Sequence, residues 1–266
     1  MPFQALQIEL SGSVATIWMN RPDLHNAFDE TLIAELTAAC LALDEDKDIR
    51  AVILAGRGKS FSAGADLNWM KRAANNGLDE NLDDARALAR MLRVLAEMKK
   101  PTIARVQGAA LGGGMGLAAA CDIAVASTWA VFATSEVKFG IIPSAISPYV
   151  LRAIGARQAY RYFQSAERIT ADRAREIGLV HETVEPEQLD AKVQEIVGSL
   201  LQGGPHAQAA AKDLIRAVSG RPINDNVIED TAHRIAHLRA TPEAREGIAA
   251  FLEKRRASWI GEGEGK

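Results

Sequence analysis

The sequence has only two cysteines in 266 residues, Cys40 and Cys121, each in an apolar context (LTAACLAL and LAAACDIAV). That excludes a disulfide framework and marks both as buried thiols. There is no uncharged apolar run of about eighteen residues and no signal-like leader, so the expectation is a cytoplasmic chain without a membrane anchor. Neither sign of charge dominates: 31 Lys and Arg face 34 Asp and Glu, and the formal net charge is −3. With a pI of about 6.0 and scattered lysines, the electrostatic footprint of a nucleic-acid binder is missing. Metal chemistry finds little support as well. The pair His233 and His237 in HRIAH has the i, i+4 spacing of two ligands, but the HExxH glutamate and a third ligand are absent. Internal repeats and low-complexity segments are lacking too.

What is present is an alternation of strand and helix patterns followed by helices alone. FQALQIEL and SVATIWMN read as a hairpin around Ser11-Gly12-Ser13. DETLIAELTAACLALDEDKD has helical spacing with Asp29 as its N-cap, and IRAVILAG is apolar throughout, as strands flanked by parallel neighbours are. A helix over LDDARALARMLRVLAEM and a strand over PTIARVQG follow, then the short strand CDIAVAS. From about residue 185 nearly every segment reads helical. This order predicts an α/β body with a helical C-terminal module.

One stretch concentrates glycine. LGGGMGLAAACD, Leu111 to Asp122, holds four glycines and three consecutive alanines. Gly114 to Ala119 satisfies G-x-G-x-x-[G/A] after a strand, and Glu136 lies about twenty residues on. A dinucleotide site nevertheless fails on context, because the acid should end the strand after the helix, and that strand ends in Ser127 and Thr128. The alternative is a helix N-terminus that presents the bare amides of Gly113 and Gly114 to an oxyanion. Such a site takes a second donor from another segment, and SFSAGADL offers one, since Ala63-Gly64-Ala65 follows a buried strand and precedes a helix.

SFSAGADL and VQGAALGGGMGLAAACD, together with NRPDLHNAF, FATSEVKFGIIP and EGIAAFLEKRRASW, resemble the crotonase, or enoyl-CoA hydratase/isomerase, superfamily in order and spacing over essentially the whole chain. The resemblance implies a spiral of ββα units over residues 1–200 and a helical trimerisation region over 201–266, assembling as a trimer or a hexamer. It implies an acyl-CoA substrate whose enolate oxygen is held by the amides of Ala65 and Gly113, with coenzyme A as part of the substrate and no further cofactor. Gly64, Asp66, Leu67, Gly112 and Gly116 are expected to contact the bound acyl-CoA, and the backbone of Ala63 to meet its adenine end. His25 and Arg21 are expected in the loop that approaches its nucleotide, Lys254 in a tail that reaches the phosphates from an adjacent subunit, and Phe251 either as a pocket lid or in a core role on a helix face.

Hydratases of this superfamily carry two glutamates. The second is present as Glu136, whereas Gly116 stands at the first, in a GGG-x-E pattern broken to GGGMG. One carboxylate suits proton shuttling in a Δ3,Δ2-enoyl-CoA isomerase, and it also permits hydration if the same group orients water and returns a proton. A surface ion pair of Glu136 with Lys138 on a strand edge is the bland alternative. SEVKFGIIPSAISPYVLRAIG and the segment after it resemble bacterial 3-methylglutaconyl-CoA and isohexenylglutaconyl-CoA hydratases of leucine and terpene breakdown. That points to hydration of a 3-substituted glutaconyl-CoA. Lys71, Arg72, Lys138, Ser144, Ser147 and Tyr149 are candidates for the distal carboxylate. A non-catalytic acyl-CoA binder and a thioester hydrolase are the remaining alternatives.

Overall fold

The computed structural model describes residues 3–261. The N-terminal hairpin forms as expected: β1 (Leu6–Ser11) pairs antiparallel with β2 (Val14–Met19), and Gly12 supplies the positive φ of the turn at 56°. β3 (Ala51–Gly56), buried at every position, lies parallel to β2 on one side and to β4 (Thr102–Val106) on the other. β6 (Ile123–Ser127) and β9 (Glu182–Val184) complete a six-stranded sheet in the order β1-β2-β3-β4-β6-β9. A second sheet of three strands is made by β5 (Ala109–Leu111), β7 (Val131–Ala133) and β8 (Ile169–Thr170).

β4 falls within the strand expected over PTIARVQG, and β5 begins directly after it in a different sheet. Gly108 turns the chain where a Cβ would lie 2.0 Å from the Lys59 carbonyl oxygen, so only glycine fits. Beside it Gln107 donates to the carbonyls of Gly56 (2.7 Å) and Ser60 (2.9 Å), tying the exit of β4 to the exit of β3. The two sheets therefore separate at the point where the candidate site begins.

Helices pack around these sheets. Asp29 caps α1 (Glu30–Glu45), accepting from the Leu32 amide at 2.9 Å. α1 lies against α3 (Leu78–Glu97), and both bury leucines against the main sheet, among them Leu32, Leu36, Leu92 and Leu95, each fully enclosed. Burial of this kind stabilises by roughly 2 kcal/mol per side chain. Cys40 and Cys121 are buried and unpaired with one another, and burial pushes the Cys40 thiol up to about 12. α2 (Leu67–Ala73), α4 (Gly113–Ala120), α5 (Ser147–Ser165) and α6 (Ala171–Glu176) follow the segments described below. Within α5, Gly155 has φ 71° and ψ 159°, which breaks the helical run that the sequence pattern suggests is continuous.

The chain divides into two compact units. One comprises the residues up to Met98 and Thr102–Gln194; the other comprises Lys99–Pro101 and the residues from Glu195 onward. α7 (Leu189–Leu201) runs from the first into the second. The second unit is otherwise helical, with α8 (Pro205–Val218), α9 (Asp225–Arg239) and α10 (Pro242–Leu252). Glu243 at the start of α10 accepts from the first amides of α8, those of His206 (3.0 Å) and Ala207 (2.9 Å). No described helix is long and apolar enough to cross a membrane.

Candidate active site

The loop before α1 sets the foundation. Asn26, fully buried and left-handed at φ 53°, donates to the carbonyls of Arg57 (2.8 Å) and Ser60 (2.9 Å) and accepts from the Arg21 amide (2.9 Å). Asparagine tolerates that backbone region better than most residues. Arg21 is held within this framework by its ion pairs. Its guanidinium bridges Asp29 (3.0 Å) and Asp66 (3.2 Å) and donates to the Ala27 carbonyl at 2.6 Å. Asp66 in turn caps α2, accepting from the amides of Asn68 (2.8 Å) and Trp69 (3.2 Å). Burial alone would raise the Asp66 carboxyl, but these amides and Arg21 outweigh it and hold it below the usual aspartate range. One cation therefore pins the starts of two helices to one loop.

The segment Ser62–Asp66 lies between that loop and β5, and its hydrogen bonds can be followed amide by amide. Ser62 donates to Ala109 (3.0 Å), Ala63 to His25 (2.9 Å) and Asp66 to Phe28 (2.9 Å), while the Gly64 amide faces the Ser62 hydroxyl at 3.4 Å. Among the described residues, the Ala65 amide alone in this segment donates to no protein acceptor. Its neighbours on both sides, Gly64 and Asp66, bond to Phe28 in a parallel bridge between Phe28 and Ala65, which turns the Ala65 N–H to the opposite side. The facing segment repeats the pattern. Leu111 donates to Ser62 (2.9 Å) and Gly112 to Ala133 (2.8 Å), and the Gly113 amide, first in α4, has no partner among the described residues.

These two segments touch, and glycine permits it. A Cβ on Gly64 would stand 2.9 Å from the Leu111 carbonyl oxygen, and one on Gly114 would stand 2.3 Å from that of Ser62. On Gly113 it would enter the buried ring of Phe28 at 2.2 Å. Gly112 adopts φ 51° and ψ −121°, a conformation that strains any side chain. Glu136 closes the arrangement from a 3₁₀ turn, Glu136–Phe139, with its Oε1 3.2 Å from the Cβ position of Gly112. Its Oε2 is buried with no hydrogen-bond partner. Desolvation pushes the carboxyl above the usual glutamate range, only partly offset by the residue's own amide. Glu136 is thus neither on a strand nor paired with Lys138, which is exposed. A half-buried carboxylate with a free, buried oxygen, over the backbone of Gly112, can bind and move a proton.

Gly116 has a different neighbour from the one expected. A Cβ there would meet Ile146 Cγ2 at 2.1 Å and Cβ at 2.7 Å, so the position faces hydrocarbon and not an open pocket. Of the others, Ala63 is half-buried and Leu67 is exposed at the start of α2. His25, exposed and left-handed, holds its Nδ1 3.0 Å from the Ser60 hydroxyl. Lys254 and Phe251 belong to the second unit, where Phe251 is 81% exposed, the reverse of a core role, and Lys254 has φ 56° just past α10. Among the distal-carboxylate candidates, Arg72 is held by Glu30 at 2.7 Å and the Ser147 hydroxyl donates to the Ser144 carbonyl at 2.8 Å. Lys71, Lys138 and the Ser144 side chain stay exposed, and burial raises the Tyr149 hydroxyl. Phe28, Asn26 and Ile146 went unflagged in the sequence. Only the NAF triplet beside the RP turn offered a hint of the first two. His233 is paired with Glu229 at 2.8 Å, and no group of three ligating side chains is brought together among the described residues.

Comparison with known proteins identifies the family of the chain. A family model described as enoyl-CoA hydratase/isomerase matches residues 9–262. The crotonyl-CoA hydratase of Syntrophomonas wolfei is 35% identical over 266 residues, 98% of this chain and 99% of that protein. The short-chain-enoyl-CoA hydratase of Clostridium acetobutylicum is 33% identical and covers 94% of this chain and 95% of its own. Among solved structures, an enoyl-CoA hydratase from Shewanella pealeana is 42% identical with a TM-score of 0.94, covering 97% of this chain and 96% of that one. Pseudomonas aeruginosa AtuE is 33% identical with a TM-score of 0.92 over 97% and 100% of the two chains. With its crotonase-like fold, the chain belongs to the enoyl-CoA hydratase/isomerase family.

Proposed function

We propose that this chain is an enoyl-CoA hydratase acting on a 3-substituted glutaconyl-CoA, with Glu136 as its acid–base group and the amides of Ala65 and Gly113 as its oxyanion hole. The observation that carries the reading is the buried, unpartnered Oε2 of Glu136, beside Gly112 and next in line to the free Gly113 amide. The glutaconyl substituent rests on the sequence resemblance.

The chemistry balances with one carboxylate. Ionised Glu136 accepts a proton from water as the water oxygen bonds to Cβ. The π electrons move through Cα onto the thioester oxygen, where the two amides stabilise the developing charge by about 3 kcal/mol each. As the enolate collapses, the carboxyl returns its proton to Cα, so water is added and the enzyme is restored. The dipole of α4 adds to the field at the oxygen, because Gly113 is its first residue. Coenzyme A enters as part of the substrate and no other cofactor takes part.

A second reading is favoured by the count of carboxylates alone: a Δ3,Δ2-enoyl-CoA isomerase in which Glu136 moves a proton between allylic carbons. Assays of the purified protein on 3-methylglutaconyl-CoA, crotonyl-CoA and 3-enoyl-CoAs separate the two. Hydration of the glutaconyl substrate is expected, whereas isomerisation without hydration removes the hydratase reading. A free-thiol assay on the same samples tests the hydrolase alternative. The exposed apolar residues of the C-terminal helices, including Ile228, Ile248 and Leu252, support self-association as a trimer or hexamer. The two buried thiols, which form no disulfide, and the lack of a spanning helix among the described residues fit a cytoplasmic setting.

A further inference from the structure

Gly112 and Gly116 stand one turn apart on a single face of α4, since the Gly116 amide donates to the Gly112 carbonyl at 3.1 Å. Glu136 covers the first glycine and Ile146 covers the second. Ile146 is 2% exposed, and its carbonyl accepts the amides of Tyr149 and Val150, both at 3.1 Å, so its backbone is anchored at the start of α5. Its side chain branches at Cβ, which restricts the rotamers by which it could move aside. The slot beside the Glu136 carboxylate is therefore filled from a different element, thirty residues along the chain from Gly116.

We propose that Ile146 is a positioning residue for the Glu136 chemistry: by occupying the side-chain volume of position 116, it excludes a second acid–base group and leaves Glu136 as the only proton carrier. The catalytic half of this inference rests on the hydratase reading, and the steric half rests on packing alone. A side chain at 116 cannot coexist with Ile146, because its Cβ would lie inside van der Waals contact of two carbon atoms. The two positions exchange volume. Valine at 146 keeps both kinds of obstructing atom, Cβ and Cγ. Glycine removes them and leaves the Ile146 Cα at 3.6 Å, an ordinary contact. Glycine is also tolerated at a helix N-cap, which is where this residue sits.

The test is a set of full-length variants: Gly116→Glu, Ile146→Gly, the two combined, and Gly116→Glu with Ile146→Val. Thermal unfolding without substrate reads the steric half. Gly116→Glu is expected to lose about 10 °C or more, or to be insoluble. The Glu/Gly combination is expected to be more stable than Gly116→Glu, and the Glu/Val combination no more stable than it. Crotonyl-CoA hydration reads the catalytic half. The Glu/Gly combination should exceed Ile146→Gly in kcat by at least about tenfold, with KM changed far less, as a second proton-transfer group implies. A Gly116→Glu protein as stable as wild type, or recovery with valine as complete as with glycine, overturns the exclusion. A folded Glu/Gly combination with no gain in kcat overturns the assignment of the slot to proton transfer. If wild type hydrates no enoyl-CoA, the hydratase reading falls, and the unfolding series alone decides whether Ile146 excludes a side chain.

Discussion

The carboxylate of Glu136 lies over the bare backbone of Gly112, with Oε1 3.2 Å from the place a Cβ would take. A side chain at 112 would crowd the carboxylate and would also be strained by the positive φ of that residue. Glycine thus lets a buried acid approach the start of α4, where the Gly113 amide is unpaired.

Replacing Glu136 by Gln removes the proposed proton carrier while keeping shape. Hydration should fall at least 10²–10⁴-fold, on the order of a lost general acid–base group. The far-ultraviolet circular dichroism should match wild type. Retained turnover would reveal another base.

The same substitution has a signed effect on stability. The folded-state carboxyl titrates above its unfolded value because burial disfavours the charge. Its contribution is therefore fully present below the unfolded glutamate value and lost as pH rises through the raised folded one. Denaturant titrations should find Glu136→Gln at least as stable as wild type at pH 8. The gap should shift in favour of wild type as pH falls toward 4.

Activity should follow the same group in the opposite sense. In the proposed mechanism the ionised form is the base, so the acid limb of kcat/KM should lie above the ordinary glutamate range and vanish in Glu136→Gln. An acid limb at or below that range would mean that Glu136 is solvated in the working enzyme.

Asp66 performs two separable tasks next to Ala65. Asp66→Asn keeps an oxygen for the α2 cap but loses the charge opposite Arg21, whereas Asp66→Ala loses both. Chemical denaturation should rank wild type above Asn above Ala, with the cap alone worth about 1 kcal/mol. Hydration should drop in the same order through kcat, because the Ala65 amide loses its anchor.

Two glycine-to-alanine changes should move stability in opposite directions. Gly114→Ala drives a Cβ to within 2.3 Å of the Ser62 carbonyl oxygen and should be strongly destabilising. Gly198→Ala lies on an exposed stretch of α7 with no atom within 4 Å of its Cβ and should stabilise by about 0.5–1 kcal/mol. Calorimetry on both proteins checks the pair.

Much of the framework was legible in the sequence because local chemistry wrote it. Asp29 announced a cap, Ser11-Gly12-Ser13 a hairpin, and the apolar run of β3 a strand buried between parallel neighbours. The glycines of α4 and the SAGAD loop likewise pointed to two bare segments meeting, since glycine serves where backbones approach closely or φ is positive. Tertiary contacts were hidden. Nothing local tells that Ile146 fills the space of Gly116, that Arg21 is held by two aspartates, or that Gly108 hands the chain from one sheet to the other. Gly155 sits in a helical pattern with ordinary neighbours, and its break became visible only in the backbone angles.

The most direct test of the central claim is oxygen tracing in labelled water. Wild-type protein incubated with 3-methylglutaconyl-CoA in H₂¹⁸O should incorporate one ¹⁸O atom at Cβ of the acyl group, detected by mass spectrometry, and Glu136→Gln should incorporate almost none. Label appearing equally with both proteins, or a product whose double bond has moved without uptake of oxygen, would contradict hydration by this single carboxylate.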